Sequence, residues 1–145
     1  MATRALINFA KREEGVSFNE HPGIDAIHTQ IYHHYDGYPE YLGIKLAEFL
    51  NGFKIVNGLG QEEDKIANGM GCLTAQVLAN LKEVPGNVYL EKPRNKDWED
   101  YQYFIWATEN KDVWISVFDY YDKCIFVGTP AKLIDKYKPN TNEEG

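Results

Sequence analysis

The sequence predicts an α+β domain: a mostly antiparallel sheet of five or six strands, two main helices on one face of it and a short C-terminal helix. Three observations carry this expectation. Residues 27–35 alternate in two sets, Ile27, Thr29, Ile31, His33 and Tyr35 against His28, Gln30, Tyr32 and His34, which is the period of a strand. Leu42, Leu46, Phe49, Leu50 and Phe53 recur at the spacing of one helical face. Residues 101–108, 113–120 and 123–127 are rich in aromatic and β-branched side chains and follow one another across short polar breaks, as an antiparallel meander does.

Each element has its own local reason. Residues 3–10 are a short apolar run in which Arg4, Asn8 and Lys11 argue against a buried helix, so they read as a first strand. Residues 12–25 mix Glu13, Glu14, Gly15, Asn19, His21, Pro22 and Gly23 and form a long connection to the second strand, antiparallel to the first. At Asp36-Gly37-Tyr38-Pro39-Glu40 the strand stops and a helix starts: Gly37 permits a turn conformation, Pro39 suits the first helical position and Glu40 complements the helix dipole. Gly52 is a helix stop, whereas Gly43 costs its helix about 0.5–1 kcal/mol relative to alanine and so implies a close packing partner or a ligand.

A glycine-rich connection, Asn57-Gly58-Leu59-Gly60, and an acidic cluster at Glu62, Glu63 and Asp64 precede a second helix that turns Met70, Leu73, Val77, Leu78 and Leu81 inward and ends at Pro85-Gly86-Asn87. Residues 88–90 read as an edge strand and residues 93–100 as a loop. In the middle strand of the meander neither face is strongly polar, so both are covered. Thr129 before Pro130 is an N-cap signature, and Leu133, Ile134 and Tyr137 give the last helix its apolar side. The expected organisation is one domain over residues 1–139 with a flexible acidic tail at 140–145.

Composition bounds the function. A chain of 145 residues buries about 70% of its unfolded surface around one core. Its hydrophobic share of 43% excludes a disordered chain. Fifteen Lys and Arg against twenty-two Asp and Glu leave a net charge of -7 and no segregated basic patch, so neither direct nucleic-acid binding nor an anionic membrane surface is expected. The first residues are too short an apolar run for a signal peptide, and no stretch approaches the ~20 apolar residues of a membrane span, which implies an intracellular compartment. Cys72 and Cys124 belong to no C-x-x-C pair and read as two buried free thiols.

The densest polar constellation comprises His28, His33, His34, Asp36, Tyr38 and Glu40. His28 and His34 share a strand face but lie about 20 Å apart at ~3.3 Å per residue, too far to share a metal. His34 and Asp36 form at most a two-ligand fragment, so no metal and no cofactor is expected. His28-Thr29-Gln30 lacks the second histidine motif of a two-histidine phosphoesterase, the Gly58 and Gly69 pairs lack the rest of a phosphate loop, and neither Ser17 nor Ser116 lies in a nucleophile elbow. The ligand-binding candidates are His34, Asp36, Tyr38, Glu40 and Gly43. Ten Tyr, seven Phe and three Trp are more than a core consumes, and Asp97, Trp98, Glu99 and Asp100 combine an aromatic anchor with steering carboxylates as a partner-binding candidate.

Met1-Ala2-Thr3-Arg4 opening a short strand, and His34-Tyr35-Asp36-Gly37-Tyr38-Pro39-Glu40 with Gly43, resemble a group of small uncharacterised phage-encoded proteins that begin Met-Ala-Thr-Arg and carry His-aromatic-Asp-Gly-Tyr-Pro before a helix. Tyr101-Gln102-Tyr103 and Gly128-Thr129-Pro130 are similar to the end of that group. The resemblance implies a viral accessory protein in the bacterial host cytoplasm and supplies no catalytic residues. Three function classes stand at this point, in order: a non-enzymatic phage protein that binds and modulates a host protein, a binder of a small nucleotide-like signal near residues 36–43, and a hydrolase using His34 and Asp36.

Overall fold

The computed structural model describes residues 2–11, 17, 19–58 and 65–138. The acidic cluster at 62–64, the Leu59-Gly60 pair, part of the 12–25 connection and the tail at 140–145 lie outside the described residues. The chain is α+β. Its main sheet has six strands, β1 (Ala5–Ala10), β2 (Ile27–His33), β5 (Val88–Glu91), β6 (Tyr101–Ala107), β7 (Val113–Phe118) and β8 (Cys124–Gly128), in the order β5-β2-β1-β6-β7-β8. Two three-residue strands, β3 (Lys54–Val56) and β4 (Ile66–Asn68), form a small parallel pair that the sequence reading does not contain.

The sheet is mixed, not the mostly antiparallel sheet expected from the sequence. At its centre β1 and β6 run parallel, with Ala5 opposite Tyr101 and Phe9 opposite Ile105. The physical reason is the connection between β5 and β6. A parallel neighbour cannot be reached by a tight hairpin and needs a crossover. Residues 92–100 supply one without a helix: the chain leaves the β5 edge, passes over β2, where the Arg94 carbonyl accepts from Gln30 Nε2 at 2.9 Å, and enters β6 beside β1.

Every residue of β1 is buried, as befits the central strand. Ala5, Ile7 and Phe9 join Ile31, Tyr103, Ile105, Ile115 and Val117 in one cluster with leucines from the helices: Leu42, Leu46, Leu50, Leu73, Leu81 and Leu133. These helices are α1 (Ile44–Leu50), preceded by a π-helical turn at Pro39–Gly43, α2 (Gly69–Leu81) and α3 (Pro130–Tyr137). Alternation places a second cluster on the opposite side chains: Ala10, Ile27, Phe104, Trp106 and Phe118. Between the Phe9–Thr29 and Ala10–Ile27 pairs β2 carries one extra residue, His28, so Ile27, which strict alternation groups with Ile31, packs in the second cluster with Ala10. Both cysteines are free and half-buried instead of fully buried.

The corner after β2 is built differently from its sequence reading. Asp36, at φ 55, takes the left-handed conformation, and Gly37 does not. Gly37 serves close approach: a Cβ there would lie 2.8 Å from the Ala5 Cβ and 2.9 Å from the Thr3 carbonyl oxygen. The Gly37 amide donates to that carbonyl at 2.9 Å, and the buried Tyr103 hydroxyl donates to the Gly37 carbonyl at 2.7 Å. Gly52, at φ 90, does end α1 through a left-handed residue. Gly43 is buried against Leu133, Pro39 and Tyr103, each 3.5 Å from where a Cβ would sit.

Candidate functional site

Three polar arrangements stand out against this frame. The first sits where β2 ends. His33 pairs in register with Ala5 and Val88, two positions beyond Ile31 with Ile7 and Leu90, so its imidazole is carried at the end of an apolar row. It is 3% exposed, and its Nδ1 has no hydrogen-bond partner among the described residues. Burial pushes His33 below the ordinary imidazole range and the Lys45 charge adds to this, while the Tyr35 backbone and the Asp36 carboxylate oppose it. The ring borders a cavity of about 130 Å³ whose wall also includes Tyr35, Asp36, Tyr41, Lys45 and Glu83.

Of the five ligand-binding candidates from the sequence, Asp36 alone lines this cavity. His34 faces elsewhere: its Nδ1 pairs with the Tyr32 hydroxyl at 2.8 Å and its ring stands edge-on to Tyr35 at 4.5 Å. No hydrogen bond joins His34 to Asp36 among the described residues. Tyr38 packs beside Tyr41, with ring centroids 6.3 Å apart. Glu40 lies within electrostatic reach of Tyr101 and Tyr137, and Tyr137 is pushed up to about 12 by burial first and by that carboxylate second. Gly43 is core. The residue the sequence reading passed over as a ligand candidate is His33, whose signal was available: a lone histidine on the Ile27–Ile31 side of the alternation.

The second arrangement is a row of amides across the sheet. Gln30 Nε2 donates to Asn8 Oδ1 at 2.8 Å, Asn8 Nδ2 to Gln102 Oε1 at 3.3 Å, and Gln102 Nε2 meets His21 Nε2 at 3.0 Å. His21 Nδ1 reaches the Pro22 carbonyl at 2.8 Å, so Nδ1 is the donor and Nε2 the acceptor. The ring packs edge-on to Phe104 and Phe118, closing this end of the second cluster. Beside the row, Arg94 bridges Glu91 and Glu99, each at 2.9 Å. Glu99 is 1% exposed. Burial alone would raise its carboxyl, but the Arg94 hydrogen bond, the backbone amides of Asp97 and Glu99 and the Arg94 charge together hold it below the ordinary range. Glu99 is therefore a structural carboxylate that holds the crossover, not a free steering charge.

The third arrangement is on the surface. A cleft of about 370 Å³ is lined by Thr3, Asp100, Tyr101, Asp119, Tyr120 and Tyr121. Asp119 Oδ1 accepts from the Tyr121 and Lys123 amides at 2.9 and 3.0 Å, and Asp122 at φ 61 completes the tight turn that presents both tyrosines. Their rings stand nearly perpendicular, 5.3 Å apart. The crossover is tied to this turn: Lys96 Nζ donates to the Tyr120 carbonyl at 2.7 Å and lies 4.6 Å from the Tyr120 ring centroid, and Asp100 shares the cleft. Trp98, between them in the chain, is 60% exposed, and Tyr121 is 85% exposed. Asp100 is thus brought beside Tyr120 and Tyr121, and Trp98 is exposed on the same crossover.

No group of three or more His, Cys, Asp or Glu side chains converges in a metal-holding arrangement among the described residues. No helix among them is long and apolar enough to cross a membrane. No family model matches the chain, and neither a curated protein nor a solved structure matches it.

Proposed function

We propose that this chain is a phage accessory protein that binds a host protein in the bacterial cytoplasm and alters its activity, using the surface formed by Asp97, Trp98, Asp100, Asp119, Tyr120 and Tyr121. The observation that carries the reading is the exposure of Trp98 and Tyr121 on backbone held by the Lys96–Tyr120 tie and the Asp119 turn. Large aromatic rings on rigid supports lose little entropy on docking and act as interface anchors. The carboxylates around them, on a chain of net charge -7, select a basic partner and steer its approach. The phage and cytoplasmic parts of the proposal rest on the resemblance of residues 1–4 and 34–40 described above.

The test compares capture from bacterial lysate by the parent chain and by a Trp98→Ala, Tyr121→Ala double variant, with quantitative mass spectrometry. A partner of basic surface charge enriched by the parent and depleted at least tenfold with the folded double variant supports the proposal. Equal enrichment by both chains removes this surface from consideration.

A further inference from the structure

We infer that the cavity at the end of β2, between the Asp36 corner, α1 and the end of α2, binds a neutral planar heterocycle of the nucleobase or nucleoside class. It shares no residue with the Trp98 surface, so it stands or falls independently of the proposed partner.

The inference begins with His33. A buried polar atom without a partner costs roughly 1–3 kcal/mol, a penalty that a ligand hydrogen bond removes. His33 Nδ1 is such an atom, on a ring 3% exposed that borders the cavity. Around it the wall offers the Lys45 ammonium as a donor, the Asp36 and Glu83 carboxylates as acceptors, and the Asn87 amide. Donor and acceptor groups set around an imidazole complement the mixed edge of a base. Tyr35 and Tyr41 supply the other half of base recognition: they line the same cavity at 55% and 46% exposure, and ring stacking contributes about 1–3 kcal/mol per base.

The rim is held in place by backbone. Asp36 and Asn87 are both left-handed non-glycine residues, at φ 55 and φ 63. Asn87 clamps the strand end, accepting from the His34 amide through its carbonyl at 2.8 Å and from the Tyr35 amide through its side chain at 2.9 Å. Strained backbone that fixes a polar pocket is characteristic of ligand sites.

Charge and size define the ligand. Lys45 is the one cation in the cavity wall, and it lies 3.6 Å from Glu83, with Asp36 a second carboxylate. A phosphate would meet two negative charges and one already paired positive charge, which disfavours nucleotides against nucleosides. His33, held neutral by its burial and by Lys45, adds no positive charge at neutral pH. About 130 Å³ suits a single base and excludes a dinucleotide from full burial.

The experiment is a titration of histidine-labelled (15N) protein with guanosine, adenosine and cytidine to millimolar concentration, repeated with the 5′-monophosphates and with inorganic phosphate. Saturable shifts of the His33 imidazole nitrogens with at least one nucleoside, several-fold weaker with its monophosphate, are expected. Asp36→Gly relieves the left-handed aspartate, keeps the fold and weakens nucleoside binding about tenfold, the loss of one charge-assisted hydrogen bond. The inference is overturned if no nucleoside moves the His33 resonances, if phosphate or the monophosphates bind more tightly than the nucleosides, or if folded Asp36→Gly binds like the parent.

Discussion

Replacing Gly37 by alanine drives a methyl group into the entry of β1. The new Cβ would sit 2.8 Å from the Ala5 Cβ and 2.9 Å from the Thr3 oxygen, and two of its three nearest atoms are backbone, which cannot rotate away. Carbon atoms pack best near 3.5–4.0 Å, so the corner must retreat by about 1 Å. That displacement strains the Gly37–Thr3 and Tyr103–Gly37 hydrogen bonds. Overpacking of this kind costs about 1–3 kcal/mol and a compromised hydrogen bond about 1 kcal/mol, for a total of about 2–4 kcal/mol. For a chain of this length the expected fall in melting temperature is about 6–16 °C. Thermal unfolding followed by circular dichroism, with a urea titration at constant temperature, measures it. Asp36→Gly is the control: it removes the left-handed strain at the residue that bears it and should melt within a few degrees of the parent or above it. A Gly37→Ala chain that melts with the parent, alongside a destabilised Asp36→Gly chain, would refute the assignment of close approach to Gly37.

Further expectations follow from the same contacts. Gly43→Ala should raise stability by about 0.5–1 kcal/mol, because a helical glycine is costly and every neighbour stands at 3.5 Å from the added Cβ; a lower melting temperature contradicts this. Arg94→Ala strands the buried Glu99 carboxylate and should cost about 2 kcal/mol, less than a fully buried pair because Arg94 is partly solvated, with Glu99→Gln in the same background recovering part of the loss in urea midpoints. His33 and Glu99 both have depressed folded values, so stability is fully present above their unfolded values and is lost as pH falls, first through the imidazole range and then through the carboxylate range. His28 shifts the same way, so His33→Gln should flatten only part of the slope between about pH 7.5 and about pH 5.5, and an unchanged slope would show that the His33 imidazole is not buried.

Elements with a local code were legible in the sequence. The alternation in β2, the leucine spacing of α1, the Thr129-Pro130 start of α3, whose Thr129 side chain accepts from the Lys132 amide at 3.4 Å, and the three strands of the meander all depend on neighbours a few residues away. The parallel partnership of β1 with β6 did not have such a code, because residues 92–100 look like any polar loop until Gln30 is seen to hold the Arg94 carbonyl. Three-residue strands such as β3 and β4 are too short to show a period. At the corner the motif was visible but its mechanics were not: turn chemistry named Gly37, whereas Asp36 carries the positive φ and Gly37 answers a contact with Thr3 and Ala5, more than thirty residues away. The candidate site divides similarly. Trp98, an aromatic flanked by charges in an expected loop, is exposed, but Glu99 beside it is consumed by Arg94, a pairing set by the course of the crossover.

The most direct measurement of the proposed function is the association kinetics of the captured host partner with the parent, with an Asp97→Asn, Asp100→Asn variant that leaves Glu99 intact, and with Trp98→Ala, at low and high salt. Slower association with a weaker salt dependence for the carboxylate variant, and faster dissociation at nearly unchanged association for Trp98→Ala, are the expected results. Rates equal to those of the parent in both folded variants would contradict an interface at this surface.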